Sequence, residues 1–319
     1  MHAAQTEAMS EAPPATSSSR SHARVAMGGV TEYGWVAAPA TIAITMTRPL
    51  SRVAAKIVER LELEQAFLVT LADLRGLMDE FDVRSEPKLV AKRLRDHGWL
   101  LPTAFPGVWE FAPGAQAGPY PRGHPFREVV AARRAHPELE LAVCLSSALW
   151  VHGLTDRPPD RPEVAVAPGT RVPTGLARAC RIVRFEAHLP PVTLRDAPVH
   201  ALATVLVHLA AHPTDVRSWG GVLDVLPDLV AAVAKATANG GRDALEHELH
   251  GRPASARTRL AYLLHGVAPR WADALTPSSH GKVWFGPRGR LRRHHAALEV
   301  ADTILPMSPG DFAPIQGVD

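Results

Sequence analysis

Phe81 to Leu101 reads FDVRSEPKLVAKRLRDHGWLL, and its pattern decides the fold of the first third of the chain. A turn at Phe81-Asp82-Val83-Arg84 leads to Ser85, expected to cap a helix. Pro87 is tolerated in the first turn of that helix, where a missing N–H loses no partner. Val90 and Leu94 stand at i, i+4 and can seat the helix on its neighbours. Lys88, Lys92 and Arg95, at i, i+4 and i+7, share one continuous face. Arg84 at the turn and Arg93 near the stripe add positive charge, and Glu86 and Asp96 of the helix offset part of it. Gly98 ends the helix.

The flanks complete the unit. Upstream, Ser51 caps a helix with Val53, Ile57, Val58 and Leu61 at helical spacing. A short β-like run, Ala66 to Val69, precedes Thr70-Leu71-Ala72-Asp73, which has the form of a capping box. Leu71, Leu74 and Met78 form the next stripe. Downstream, Trp99-Leu100-Leu101 and Val108-Trp109-Glu110-Phe111 are joined through Pro102, Pro106 and Gly107, a hairpin signal. Helix, strand, helix, turn, helix, hairpin is the order of a winged helix-turn-helix, placed at residues 49–113. A helix that enters a major groove must bury one stripe on its own domain and present long donors outward. Arg84, Lys88, Lys92, Arg93 and Arg95 are therefore the candidate contacts to double-stranded DNA. A basic helical stripe is more often a merely solvated face, but its place in the third helix, just before a wing, favours DNA.

The remainder bounds the class. The chain has 319 residues, 46% hydrophobic and 21% charged, with a net charge of +3, which suits two soluble domains. Residues 1–48 are rich in Ala, Ser, Thr and Pro without periodicity and are expected to be disordered; Met46 offers an alternative start. Residues 114–125 read as a Gly/Pro-rich linker, 126–306 as a second domain and 307–319 as a loose tail. In the second domain, Phe126 to Ala135 is helical and Leu141 to Leu154 apolar. Val164 to Val166 and Cys180 to Phe185 have strand character. Helices follow from about Pro198, clearest at Ala201 to Ala211, Val222 to Ala236 and from Thr258. The expected class is α+β: an N-terminal winged helix-turn-helix, then a mixed α/β domain ending in helices. No run approaches the ~18 apolar residues that span a bilayer, so no membrane association is expected and the cytoplasm is the expected compartment. Cys144 and Cys180 stand in apolar surroundings and read as reduced, buried thiols.

Leu145-Ser146-Ser147-Ala148-Leu149-Trp150-Val151-His152-Gly153-Leu154 carries the most recognisable local signature. With the preceding winged helix and the later Arg257-Thr258-Arg259-Leu260-Ala261-Tyr262-Leu263-Leu264, it resembles the AbiEi antitoxin family of type IV toxin–antitoxin systems. Arg157 to Val166 is similar to that family's hairpin after the SAL-x-x-HGL segment. The resemblance implies a two-domain autoregulator whose winged helix binds inverted repeats in its own promoter, an arrangement compatible with a homodimer on DNA. It further implies a second domain that counters a nucleotidyltransferase toxin without a stable complex. Basic residues of the second domain are implicated in that action. By character alone the candidates are Arg178, Arg181 and Arg184, with Arg288, Arg290, Arg292 and Arg293 as a second phosphate-contacting strip.

Catalysis reads poorly. Ser146-Ser147 through Asp160 and Glu163 faintly echoes a nucleotidyltransferase loop and acidic pair. Metal-assisted phosphoryl transfer needs carboxylates that converge, and on a strand residues three apart face opposite ways. His247-Glu248-Leu249-His250 is one residue short of H-E-x-x-H, and His294-His295 adjoins Arg292-Arg293. His152 reads as a structural turn residue. No catalytic residue, metal or cofactor is expected. The sequence thus favours a DNA-binding autoregulator and antitoxin. The alternatives are an orphan winged-helix regulator with a ligand-sensing or dimerising second domain, and a diverged nucleotidyltransferase.

Overall fold

A computed structural model describes residues 50–114, 123–236, 241–278 and 281–316. The expected disorder of 1–48 and most of the expected linker lie outside them. Residues 46–319 cluster as one compact unit.

The first elements are α1 (Arg52–Leu63), β1 (Leu68–Thr70), α2 (Leu71–Glu80), α3 (Pro87–Asp96), β2 (Leu100–Pro102) and β3 (Val108–Phe111). Their ends follow local chemistry. Ser51 Oγ accepts from the Ala54 N–H at 3.2 Å. Thr70 and Asp73 form a reciprocal capping box, at 3.1 and 2.8 Å, which satisfies two orphan donors of α2. α3 departs from expectation at its start. Its N-cap is Glu86, without a side-chain cap bond, and Pro87 occupies the first turn. Gly98 takes a φ of +73° after α3, the left-handed conformation that glycine adopts without strain. The strands form an antiparallel sheet in the order β1-β3-β2. Ile57, Leu61, Leu74, Met78, Leu94 and Phe111 pack into one apolar cluster beneath it. Val53, expected on the same stripe, is exposed.

Then come α4 (Arg127–Ala135), β4 (Leu141–Val143), α5 (Leu145–Val151), β5 (Glu163–Val166), α6 (Thr174–Ala179), β6 (Arg181–Arg184), β7 (Val192–Leu194) and β8 (Ala197–Val199). The five strands make a mixed sheet, β6-β5-β4-β8-β7. β4 and β5 are antiparallel neighbours, but α5 stands between them and no strand forms over 157–162. The hairpin expected from Arg157 onward is therefore a helical crossover ending in β5.

The helical part comprises α7 (Leu202–Ala211), α8 (Trp219–Asp224), α9 (Leu226–Lys235), α10 (Arg242–Leu249), α11 (Ala254–Leu264) and α12 (Pro269–Leu275). Every residue of α7 from Ala203 to Ala210 is buried, as expected of a helix apolar all round. The stretch Val222 to Ala236 is not one helix. It breaks at Val225, and Pro227 sits in the first turn of α9, where a proline is tolerated. The chain also continues beyond the helices into a small sheet of β9 (Val283–Phe285), β10 (Arg293–His295) and β11 (Val300–Asp302).

Residues 307–316 lie against the core instead of hanging loose. Pro309 is buried, Phe312 and Ile315 pack on apolar neighbours, and the Ile315 N–H donates to the Val267 carbonyl at 2.8 Å. A Cβ at Gly266 would fall inside the Pro309 carbonyl oxygen, so glycine is required for this close approach.

The winged sheet and the second part share packing. Leu68, Phe105 and Val108 belong to the same apolar core as Phe126, Val129 and Leu141. Glu110 of β3 is fully buried, and Arg127 Nη1 of α4 lies 3.3 Å from its Oε2. Glu128 accepts from the Ala104 N–H of the wing at 2.9 Å. Removing one partner of a buried ion pair leaves a charge poorly compensated, at a cost of about 3–5 kcal/mol. Arg127→Met should lower stability by that order in denaturant unfolding, whereas Arg127→Met with Glu110→Leu should recover much of the loss. Equal destabilisation in the double variant would show that the charge pair is not what matters there.

Candidate nucleic-acid interface

α3 divides cleanly. Val90, Ala91 and Leu94 are buried, while Arg84, Lys88, Lys92, Arg93 and Arg95 are all exposed. Arg93 and Arg95 fall in the last turn of α3, where cations favour the negative end of the helix dipole. A notch of about 230 Å³ between α3 and the wing is lined by Leu71, Lys88, Ala91, Lys92, Arg95, Gly107 and Trp109. The structure thus brings Lys88, Lys92 and Arg95 together on the side of α3 that faces the wing. Arg84 belongs to the preceding turn, and Arg93 is offset around the helix. Lys88, Lys92 and Arg93 have no acidic partner within ion-pair distance among the described residues. Arg95 Nη2 lies 3.7 Å from Asp96 Oδ1 with both side chains half exposed, a pairing weak enough to exchange for another anion.

The wing beside this face is braced. The Thr103 hydroxyl donates to the Val108 carbonyl at 2.8 Å. Gly107, at φ +83°, accepts through its carbonyl from the Leu71 N–H at 3.1 Å. Phe105 and Val108 anchor the wing from below.

The second set of basic residues is dispersed. Arg178 is exposed at the end of α6. Arg181 and Arg184 are three apart on β6 and so point to opposite faces. Arg181 Nη1 lies 2.7 Å from Glu163 Oε1, and Arg184 Nη1 donates to the Thr170 carbonyl at 2.7 Å. In the later run, Arg292 donates to the Ile304 carbonyl at 3.1 Å, and Arg293 to those of Leu305 and Pro306 at 2.9 and 2.8 Å. Arg288 and Arg290 are exposed without such bonds among the described residues.

The acidic residues weighed for catalysis have separate surroundings. β5 begins at Glu163, so Asp160 lies in the bend before it and strand alternation does not relate the two. Glu163 is buried. Its Oε2 accepts from the Ser146 N–H at 2.9 Å, its Oε1 faces Arg181, and its own N–H donates to Ser147 Oγ at 2.8 Å. Burial pushes the Cys180 thiol up to about 12 and Cys144 well above its ordinary range, so both are protonated thiols, and both are free. His152 caps the end of α5, its Nε2 2.9 Å from the His200 carbonyl. Glu248, between His247 and His250, is buried and accepts from the N–H groups of His188 and Leu189, from Thr204 Oγ1 and from Arg252.

One cluster had no legible signal. His208 of α7 stacks on Phe185 at 3.9 Å and 12°, and His200 and His212 crowd the same ring. The guanidinium of Arg252 lies 4.3 Å from the Phe185 centroid. His208 Nε2 and His212 Nδ1 are each 3.6 Å from Asp215 Oδ2. Burial, with His208 and Arg252 nearby, lowers His200 to about 3; burial also lowers His208, against the pull of Asp215.

Residues 141–266 match the family model described as the AbiEi antitoxin C-terminal domain. Residues 141–266 of this chain are an AbiEi antitoxin domain. That supports an antitoxin or regulator role, with a toxin as the counterpart that the family implies. The crystal structure of the RV2827C protein from Mycobacterium tuberculosis is similar at 25% identity and a TM-score of 0.65, covering 82% of this chain and 94% of that one. No curated protein matches. No helix among the described residues is long and apolar enough to cross a membrane.

The histidine cluster of this AbiEi domain has a measurable consequence. His200 and His208 titrate lower when folded than when unfolded, so acid protonates the unfolded chain first and pulls the equilibrium towards it. Their contribution is complete above about pH 6.5 and is lost as pH falls, for His200 down to about 3. Each group contributes a slope of at most about 1.4 kcal/mol per pH unit. Melting temperature should therefore fall steeply below pH 6.5, and His200→Leu should flatten the profile. An unaltered profile in that variant would show that His200 is not the group responsible.

Proposed function

We propose that this chain is an autoregulatory DNA-binding antitoxin. The observation that carries the reading is the exposed face of Lys88, Lys92 and Arg95 beside a braced wing, in one chain with an AbiEi antitoxin domain. A helix presented in this way fits a major groove, its lysines and arginines reaching phosphates and base edges, and the wing adds a contact alongside. The target is double-stranded promoter DNA bearing inverted repeats, read by two copies of the chain. Arg84 and Arg93 lie beside the central three and serve phosphates. The second domain counters a nucleotidyltransferase toxin without forming a stable complex, and the chain itself performs no catalysis. In this reading residues 49–113 hold the DNA and residues 126–306 the antitoxin activity.

Replacing Lys88, Lys92 and Arg95 together by Ala should weaken promoter binding strongly and leave circular dichroism intact, because all three side chains are exposed. The log–log salt dependence should become shallower by about 0.9 for each DNA phosphate that is no longer neutralised. An unchanged slope would place the DNA elsewhere. The same variant should still protect cells from the toxin encoded beside it when both are expressed from heterologous promoters. Loss of protection by a folded variant would assign the antitoxin activity to the winged helix instead.

A further inference from the structure

The loop from Thr155 to Arg161 and parts of α5, β5 and α8 enclose a pocket of about 490 Å³ that shares no residue with the notch beside α3. Its charge is lopsided. Arg157, Arg161 and Arg217 all line it. Arg161 is held by bonds from Nη2 to the carbonyls of Ala177 and Arg178, at 2.5 and 2.9 Å. Arg157 and Arg217 are exposed and have no acceptor among the described residues. Of the two lining carboxylates, Glu163 is matched by Arg181, which leaves Asp160 alone against three guanidinium groups. The excess is two positive charges, the complement of a dianionic phosphate monoester rather than of a single carboxylate. The hydroxyl-bearing residues Ser146, Thr155 and Ser218 also line the pocket, and Leu149, Val222, Pro158 and Pro159 give it apolar walls. Its volume is in the range that admits a small ligand, roughly 300–1,000 Å³.

A second observation points the same way. α8 opens with Trp219-Gly220-Gly221, and glycine destabilises a helix relative to alanine. The fold does not ask for these glycines. Neither has a positive φ; a Cβ at Gly220 would meet nothing within 4 Å, and one at Gly221 only Ser218 Oγ at 3.8 Å. Bare backbone at Gly221, on the pocket wall, is useful where another molecule must come close.

We propose that this pocket binds a phosphorylated small molecule of mononucleotide size. Arg157 and Arg217 hold its phosphate oxygens through paired N–H donors, Arg161 adds fixed positive charge, and the open face at Gly221 admits the ligand. The site makes the antitoxin domain a sensor separate from the DNA-facing surface. The test is calorimetric titration of the full chain with AMP, ATP and adenosine. Saturable binding of AMP or ATP that adenosine lacks is expected, at least tenfold weaker in Arg157→Ala/Arg217→Ala. Gly221→Leu, which places a side chain in the pocket, should weaken it as much while the melting temperature stays at or above that of the parent. Absence of saturable binding, equal binding of adenosine, or parental affinity in either folded variant overturns the proposal. So does binding confined to a 5′-phosphorylated oligonucleotide, which would make the pocket part of a nucleic-acid surface.

Discussion

Glu110 is a carboxylate with no exposure, placed on the central strand of the winged sheet, and the cation beside it belongs to the helix that opens the second part of the chain. A buried charge is tolerated only when it is paired, so β3 and α4 are held together by a constraint stronger than surface contact. The neighbouring bonds act in the same sense. Glu128 bonds Arg127 on one side and the Ala104 N–H of the wing on the other, while Phe105 and Val108 sink into the core that α4 helps to build. The wing is thereby positioned from two directions, by its own sheet and by α4. Lys88, Lys92 and Arg95 stand beside a support that is tied to α4 by an ion pair and a hydrogen bond.

Much of this was legible because it rests on local chemistry. Ser51, the Thr70–Asp73 box and Gly98 mark helix ends through bonds and dihedrals confined to a few residues, and β2 and β3 are joined by a short turn. The basic face of α3 follows from spacing alone. What stayed hidden depends on distant partners. Glu110 and Glu163 look like ordinary strand carboxylates until Arg127 and Arg181 arrive from elsewhere in the chain. β9 and β11 are three-residue strands paired in parallel across a separation of some 17 positions, too short and too nonlocal for a periodic signal. Residues 307–316 dock through three scattered apolar side chains, Pro309, Phe312 and Ile315, and through the missing side chain of Gly266, with no periodic pattern to announce it. Val222 to Ala236 kept its helical periodicity across the break at Val225, since Pro227 is compatible with the first turn of a new helix.

The antitoxin domain uses its basic residues differently. Arg181, Arg184, Arg292 and Arg293, which by sequence look like a basic surface, direct hydrogen bonds to buried carboxylates and to loop carbonyls, and so serve packing as well as charge. Arg157, Arg217, Arg288 and Arg290 stay uncommitted among the described residues. These four lie in loops, while Arg178, Lys235 and Arg242 keep further exposed charge on separate helices. The positive charge of the second part is thus scattered, whereas Lys88, Lys92 and Arg95 share one face of a single helix.

The measurement that tests this division most directly is hydrogen–deuterium exchange of the full chain with and without a duplex carrying its own promoter. Slow exchange reports which backbone segments become protected on binding. Protection of residues 87–96 and of the wing, 100–111, with exchange over 141–266 unchanged, is the predicted result. Protection confined to 141–266, with α3 and the wing exchanging as in the free protein, would contradict the account.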